Sequence, residues 1–224
     1  MITLTIDTTT QVLGVALFKN DQFIKELTKE TRNNHGSFLM PTIEELLSDT
    51  EVKVTDLERI VVAHGPGSYT GTRIGVTTAK TLAWSLNIPV FTISSLTALS
   101  AYGQPDGQLF CTMIDARRKS VYAGVYRWID GKLKCEMEEQ HITIDSLLAK
   151  FGANEVVFIS PDAENLQDSF PKSSYFVEDV KQSPCHLYLK DEWITHEDVH
   201  HVTPNYLRMT EAERNLLQKQ KGAE

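Results

Sequence analysis

The sequence predicts an α/β protein built from two duplicated lobes, each a mixed sheet flanked by helices. Three observations carry this. The hydrophobic pattern runs strand, strand, strand, helix, strand, helix, strand, helix, and then repeats that order within 224 residues. The first strand of each half ends alike, Thr5-Ile6-Asp7 and Met113-Ile114-Asp115, and each leads through a hairpin into Gly14-Val15 or Gly124-Val125. A Pro/Gly-rich break, Gly103-Gln-Pro-Asp-Gly107, separates the halves. The expected lobes are 1–103 and 104–224, the second with a C-terminal extension.

The elements follow in order. Ile2–Asp7 alternates Ile2, Leu4 and Ile6 against Thr3, Thr5 and Asp7, the period of a strand. Val12–Phe18 and Gln22–Lys29 are strands joined by the turn formers Asn20-Asp21. Ser37–Leu47 reads as a helix, Ile60–Ala63 as a strand buried on both faces, Thr72–Leu86 as a helix, Val90–Ile93 as a strand and Ser95–Tyr102 as a short helix. In the second half, Leu109–Asp115, Ser120–Trp128 and Leu133–Glu139 are strands, with Asp130-Gly131 as a tight turn. A helix over Asp145–Phe151, a strand over Val156–Ser160, a short helix over Asp162–Asp168, a strand over Tyr175–Val177 and a helix over Ser183–Lys190 complete the repeat. Met209–Lys221, with alternating charge, reads as a frayed end or a surface helix.

The most informative stretch is Ile60-Val-Val-Ala-His-Gly-Pro-Gly-Ser-Tyr-Thr-Gly-Thr-Arg-Ile-Gly75, a buried strand entering a glycine-rich loop and then a helix. Gly65, Pro66, Gly71 and Gly75 read as structural loop residues, and Ser68, Thr70 or Thr72 can cap the helix. Such a loop either holds an anion at the helix N-terminus or presses its backbone on a partner. It is not a P-loop: Gly71 comes one residue late after Gly65 and no Lys follows. It is not a dinucleotide loop, because the third glycine after Gly65 and Gly67 is also one residue late. Pro66 and Thr70 stand where a nucleophile elbow around Ser68 needs glycine.

Composition narrows the class. Hydrophobic residues make up 41% and charged residues 23%, as in an ordinary globular protein, and no apolar run approaches a membrane span. The N-terminus lacks the basic and apolar regions of a signal peptide, and the three cysteines are widely spaced, which together point to free thiols in the cytoplasm. A net charge of −8 disfavours tight unaided binding to nucleic acid and leaves room for RNA contact through a complex.

The duplicated unit with an Asp closing each first strand resembles the ASKHA superfamily of actin, sugar kinases and heat-shock chaperone ATPases (RNase H-like lobes). Within it the chain resembles the TsaB (YeaZ) family. The resemblance rests on Ile6-Asp7-Thr8-Thr9, the loop Gly65–Gly75, Ile114-Asp115-Ala-Arg117 with Val121-Tyr122, and Pro204-Asn-Tyr206-Leu-Arg208; residues 130–200 match poorly. It implies a non-catalytic subunit that dimerises with a TsaD-like transferase and is needed to attach threonylcarbamoyl to the tRNA adenosine beside the anticodon. It further implies a TsaE-like ATPase in the larger complex, self-association as a homodimer when the partner is absent, contact with tRNA only through the complex, and no cofactor.

The residues agree with a site that has lost phosphate chemistry. A phosphate-gripping hairpin of the superfamily reads Asp-x-Gly-Thr, whereas Thr8-Thr9-Thr10 has no glycine, so Asp7, Thr8, Asp115 and Arg117 read as a vestigial phosphate site. Ser160-Pro161-Asp162 replaces the glycine pair of an adenosine pocket. An ATP-dependent kinase or hydrolase using Asp7 and Asp115 is the competing reading.

A partner surface is expected on two helices. The apolar arc of the first, from Phe38 through Leu39 and Ile43 to Met40, is roughly 200° wide, twice a single core stripe. On the second, Gly75, Ala79, Leu82, Ala83 and Leu86 form a small-residue face, and Arg73 and Lys80 flank Trp84. The interface set is therefore Phe38, Leu39, Ile43, Gly67, Ser68, Tyr69, Arg73, Lys80 and Trp84. His196-Glu-Asp-Val-His200 is a literal H-E-x-x-H, but Thr203-Pro204 closes off the helix that a zinc metallopeptidase would need, so no metal is assigned. His35 and His64 stand near the first helix and the loop; His64 reads as a polar residue closing a strand.

Overall fold

The computed structural model describes residues 1–31, 34–103, 107–181, 183–188 and 193–208. The first half forms β1 (Ile2–Asp7), β2 (Val12–Lys19), β3 (Gln22–Glu30), α1 (His35–Asp49), β4 (Arg59–Ala63), α2 (Tyr69–Leu86), β5 (Val90–Ile93) and α3 (Ser95–Leu99). The second repeats it with β6 (Leu109–Asp115), β7 (Ser120–Ile129), β8 (Lys132–Thr143), α4 (Ile144–Phe151), β9 (Val157–Ile159), α5 (Ala163–Leu166), β10 (Tyr175–Phe176) and a 3-10 turn over Pro184–Tyr188; a last strand, β11 (Thr195–Glu197), follows.

Both sheets run in the same order. The first is β11-β5-β4-β1-β2-β3, and the second β10-β9-β6-β7-β8. In each, the opening strand pairs antiparallel with its hairpin partner and parallel with the strand after the first helix, for example Ile6 opposite both Val15 and Val62, and Cys111 opposite both Val125 and Phe158. The register follows from burial. β4 is buried at every residue because it lies inside the sheet with both faces covered, which selects its run of Ile and Val.

Two features differ from the sequence reading. β11 leaves the second half and pairs antiparallel with β5, Thr195 opposite Thr92 and Glu197 opposite Val90, so the C-terminal extension completes the first sheet. The helix expected over Ser183–Lys190 is a 3-10 turn over Pro184–Tyr188, and its last two residues lie outside the described ones. The expected C-terminal helix over 209–221 also lies outside the described residues.

Each lobe lends its final turn to the other. α3 places Leu96 and Leu99 among Phe110, Ile114, Tyr126, Val157 and Ile159 of the second sheet. In return, the Pro184–Tyr188 turn sits on the first sheet: Thr5 Oγ1 donates to Pro184 O at 2.9 Å, and Leu187 packs with Val61, Ala63, Ile93 and Ala98. A side chain on Gly14 would meet Pro184 Cδ at 2.6 Å, so glycine is required for this seat. A carboxylate ties the junction. Glu139 accepts from Ser94 Oγ (2.6 Å) and Thr97 Oγ1 (3.1 Å) of the first lobe, and from Tyr126 OH (2.8 Å) of its own. Replacing it removes three charge-assisted bonds and leaves a buried phenol without its acceptor. Glu139→Ala should cost about 2–3 kcal/mol in urea denaturation, and Glu139→Gln, which keeps one acceptor oxygen, should cost less.

Candidate functional site: inter-lobe cleft and helical face

The two β-hairpins face one another across a cleft of about 570 Å³. Thr9, Thr10 and Gln11 of the β1–β2 turn form one wall, and Asp115, Ala116 and Arg117 of the β6–β7 turn the other; Gly67, Ser68, Ile114, Tyr122, Asp162 and Asn165 complete it. The expected phosphate-site residues belong to these two turns, so the state of each turn decides what the cleft can do.

The first turn is occupied by its own chain. Asp7 is 1% exposed, and its Oδ1 accepts from Thr9 N (2.9 Å) and Thr9 Oγ1 (2.7 Å). Thr8 is fully buried and donates from Oγ1 to Gly71 O at 2.7 Å, while Ser68 N donates to Thr9 O at 2.6 Å. The glycine loop and the first turns of α2 therefore lie directly on the hairpin. A Cβ at Gly67 would come within 2.2 Å of Thr9 O, at Gly71 within 2.1 Å of Thr8 O, and at Gly75 within 2.3 Å of Thr8 Oγ1. Asp7 and Thr8 thus leave the vestigial phosphate site: they are sealed beneath the loop. Ser68 is the N-cap of α2, its Oγ accepting from Gly71 N.

The second turn is open. Asp115 Oδ1 accepts from Arg117 N at 2.7 Å, and Asp115 N donates to Asp162 Oδ2 at 2.9 Å. Burial pushes the Asp162 carboxyl above the usual carboxylate range, against the backbone bond from Asp115 that pulls it down. Among the described residues, no group of three or more His, Cys, Asp or Glu is gathered as a metal-ligand set.

The helical face divides cleanly. Leu39 and Ile43 are each 1% exposed and belong to the core of the first lobe with Leu46 and Leu47, so they are corrected from surface to interior. The edges of the arc, Phe38 (43% exposed) and Met40, face outward. On α2 the small face of Gly75, Ala79 and Ala83 is buried within the lobe. Lys80 is likewise corrected, because its Nζ donates to Val202 O (2.9 Å) and His200 O (3.1 Å) and clamps the C-terminal segment. Tyr69, Arg73 and Trp84 lie on the outer side, Trp84 at 66% exposure. The Arg73 guanidinium lies 4.9 Å from the Tyr69 ring, with Nη1 donating to Tyr69 OH at 2.9 Å. Tyr206 stacks on Tyr69 at 5.2 Å. Gly65 (φ +105°) turns the chain under the same segment, and Asn205 N donates to His64 O at 2.7 Å. Sequence reasoning misses the site-forming role of Tyr206, because its neighbour is 137 positions away in sequence and only the fold unites them.

The H-E-x-x-H stretch is a strand and a turn. His196 lies in β11 with its ring 5.1 Å from Phe91, and His200 N donates to Asp198 Oδ1, so the two histidines do not share a helical face. His35 is buried, with Nδ1 3.2 Å from Thr31 Oγ1.

A family model described as TsaD, tRNA N6-adenosine threonylcarbamoyltransferase, matches residues 27–181. A Bacillus subtilis (strain 168) protein named tRNA threonylcarbamoyladenosine biosynthesis protein TsaB is 37% identical over 229 residues, covering 99% of this chain and 100% of that relative. The chain belongs to the TsaB family. It does so within the wider TsaD-related family whose model spans more than half of it. An Escherichia coli (strain K12) protein of the same TsaB name is 30% identical over 55% of this chain and 54% of its own. A solved structure of YeaZ from Pseudomonas aeruginosa superimposes with a TM-score of 0.77 at 22% identity, over 92% of this chain and 99% of that one, and so has the same fold.

The sealed hairpin and the buried imidazoles each have a measurable consequence. Gly75→Ala should destabilise the protein by about 1–3 kcal/mol through overpacking on Thr8, and the loss should shrink in the Thr8→Ala background, read as a double-mutant cycle in urea. Burial holds His35 and His64 below the ordinary histidine pKa, so the unfolded chain takes up protons first as the pH falls. Stability should therefore decline as the pH drops from about 6.5 through the depressed folded values. Urea midpoints taken from pH 7.5 to 5 read this, and His64→Asn should flatten the curve.

Proposed function

We propose that the chain is the non-catalytic partner subunit that a TsaD-like transferase requires to attach threonylcarbamoyl to the tRNA adenosine beside the anticodon. The observation that carries this reading is the sealed first hairpin. A phosphate-handling lobe needs backbone N–H groups open to the ligand at this turn, and here Gly67, Gly71 and Gly75 close over it while Asp7 is bound to Thr9. The pathway in this reading is supported by relatives from Bacillus subtilis and Escherichia coli, among others, named tRNA threonylcarbamoyladenosine biosynthesis protein TsaB.

The contact surface for the transferase is the outer side of α1 and α2 with the adjoining loop: Phe38, Met40, Tyr69, Arg73 and Trp84, joined by Tyr206. Exposed aromatics beside an arginine are the residue types enriched at the energetic centres of interfaces. The same surface serves a homodimer when the transferase is absent, and a TsaE-like ATPase joins the assembled pair. The chain works in the cytoplasm, where its tRNA substrate is; no helix among the described residues is long and apolar enough to cross a membrane.

Phe38→Glu should abolish co-purification with the TsaD-like subunit, a loss of at least about 2 kcal/mol in binding, and leave thermal unfolding unchanged. Retained co-purification would remove α1 from the interface. Threonylcarbamoylation reconstituted from purified subunits should require this chain, and turnover by the chain unaided would return the ATP-dependent kinase or hydrolase reading.

A further inference from the structure

The β6–β7 turn carries Arg117, Arg118 and Lys119 in succession, and all three are exposed. Each sits in the left-handed region, at φ +64°, +54° and +57°. That conformation suits glycine, Asn and Asp and is unfavourable for long side chains. Elsewhere among the described residues, the positive-φ positions outside glycine are filled by Asn20, Asp21, Glu51, Asn87, Asp130 and Asp179. Only this turn uses cations. Its backbone is fixed on every side: Ala116 N donates to Ser120 O (3.0 Å), Ser120 N to Arg117 O (3.1 Å), and Ile144 N to Lys119 O (3.0 Å).

The three cations make no close ion pair. None forms an ion pair within 4.0 Å among the described residues. Arg117 also lines the wall of the cleft, and Arg118 and Lys119 continue from it as exposed residues of the tip. In a chain of net charge −8, three exposed cations in succession on a hydrogen-bonded tip are a local reversal of the field. Two acids line the cleft at the base of the turn: Asp115 is bound to Arg117 N, and Asp162, which feels the charge of Arg117, to Asp115 N. A polyanion therefore meets the rim and is kept from the floor.

We propose that the Arg117–Lys119 turn is a contact site for the phosphate backbone of RNA, and that through it this chain touches the tRNA held by the complex. Three consecutive exposed cations on a hydrogen-bonded backbone match a ligand that presents phosphates in series; a single small anion would need converging donors. The inference rests on the tRNA reading above and extends it, since the chain then contributes to substrate binding directly.

The test uses the complex of this chain with its TsaD-like partner and unmodified tRNA, with affinity measured by fluorescence anisotropy across a salt series. The variant is Arg117→Asn/Arg118→Asn/Lys119→Asn, because Asn tolerates the left-handed backbone and spares the fold. The slope of log K against log salt should fall in magnitude by roughly 2, from about 0.7–0.9 for each phosphate that is no longer neutralised, and affinity should weaken on the order of tenfold near physiological salt. Subunit association should be unchanged. An unaltered slope in a complex that still forms overturns the proposal alone. Loss of subunit association instead assigns the turn to a protein contact and also overturns it. A wild-type complex that neither binds nor modifies tRNA overturns the functional reading, and this one with it.

Discussion

The structure depends on one contact, the backbone of the glycine loop and α2 laid against the turn between β1 and β2. Gly71 and Gly75, four apart, share one face of α2, and Gly67 lies just before the N-cap; none of the three can carry a Cβ without striking Thr8 or Thr9. The contact sets the position of α2 and with it the outward direction of Arg73 and Trp84. It also consumes the groups that would make the loop an anion site. Ser68 N is bound to Thr9 O, and Gly71 N to Ser68 Oγ. A loop with the residue types of a phosphate cradle thereby becomes a packing device, because its own chain reaches the donors first.

Duplication makes the consequence visible. The same strand order occurs twice, yet the two hairpin tips have opposite fates. The first is neutral, with Thr8 and Thr9 buried under the glycine loop and only Thr10 and Gln11 reaching the cleft; the second is cationic and exposed. No glycine loop follows β9 in the second lobe, where Ser160-Pro161-Asp162 stands instead. Asp162 ties itself to the base of that tip through Asp115 N and leaves the residues beyond it exposed. The two copies of the fold differ in the loop that packs on the hairpin, present after β4 and replaced after β9.

Most of the architecture is legible in the sequence because the elements are short, strongly patterned and punctuated. Strict alternation defines β1, and Asn20-Asp21 and Asp130-Gly131 mark hairpin turns that the structure retains at positive φ. What the sequence conceals shares a physical cause, that the deciding partner is remote along the chain. Leu39 and Ile43 sit on an arc whose width suggests a second partner, but the core closes over its middle and leaves only Phe38 and Met40 outside. Lys80 has the pattern of a surface cation until the fold brings the carbonyls of His200 and Val202 to it. Glu139 carries no local signal at all, since its role exists only where Ser94 and Thr97 arrive from the other lobe.

The returning C-terminal segment explains the stretch whose letters mimic a zinc motif. The edge of the first sheet at β5 would expose a row of unpaired backbone groups. β11 covers it, and the strand conformation that pairing imposes points His196 and Glu197 to opposite faces. His196 meets the Phe91 ring, while the charge of Glu197 acts on buried His64 against the desolvation that lowers its pKa. From there Lys80 holds the chain, Asn205 N bonds to His64 O, and Tyr206 reaches Tyr69. The segment thus covers the sheet edge first and then lends an aromatic ring to the outer side of α2. The composition of that surface is set by the far end of the chain as much as by the helix beneath it.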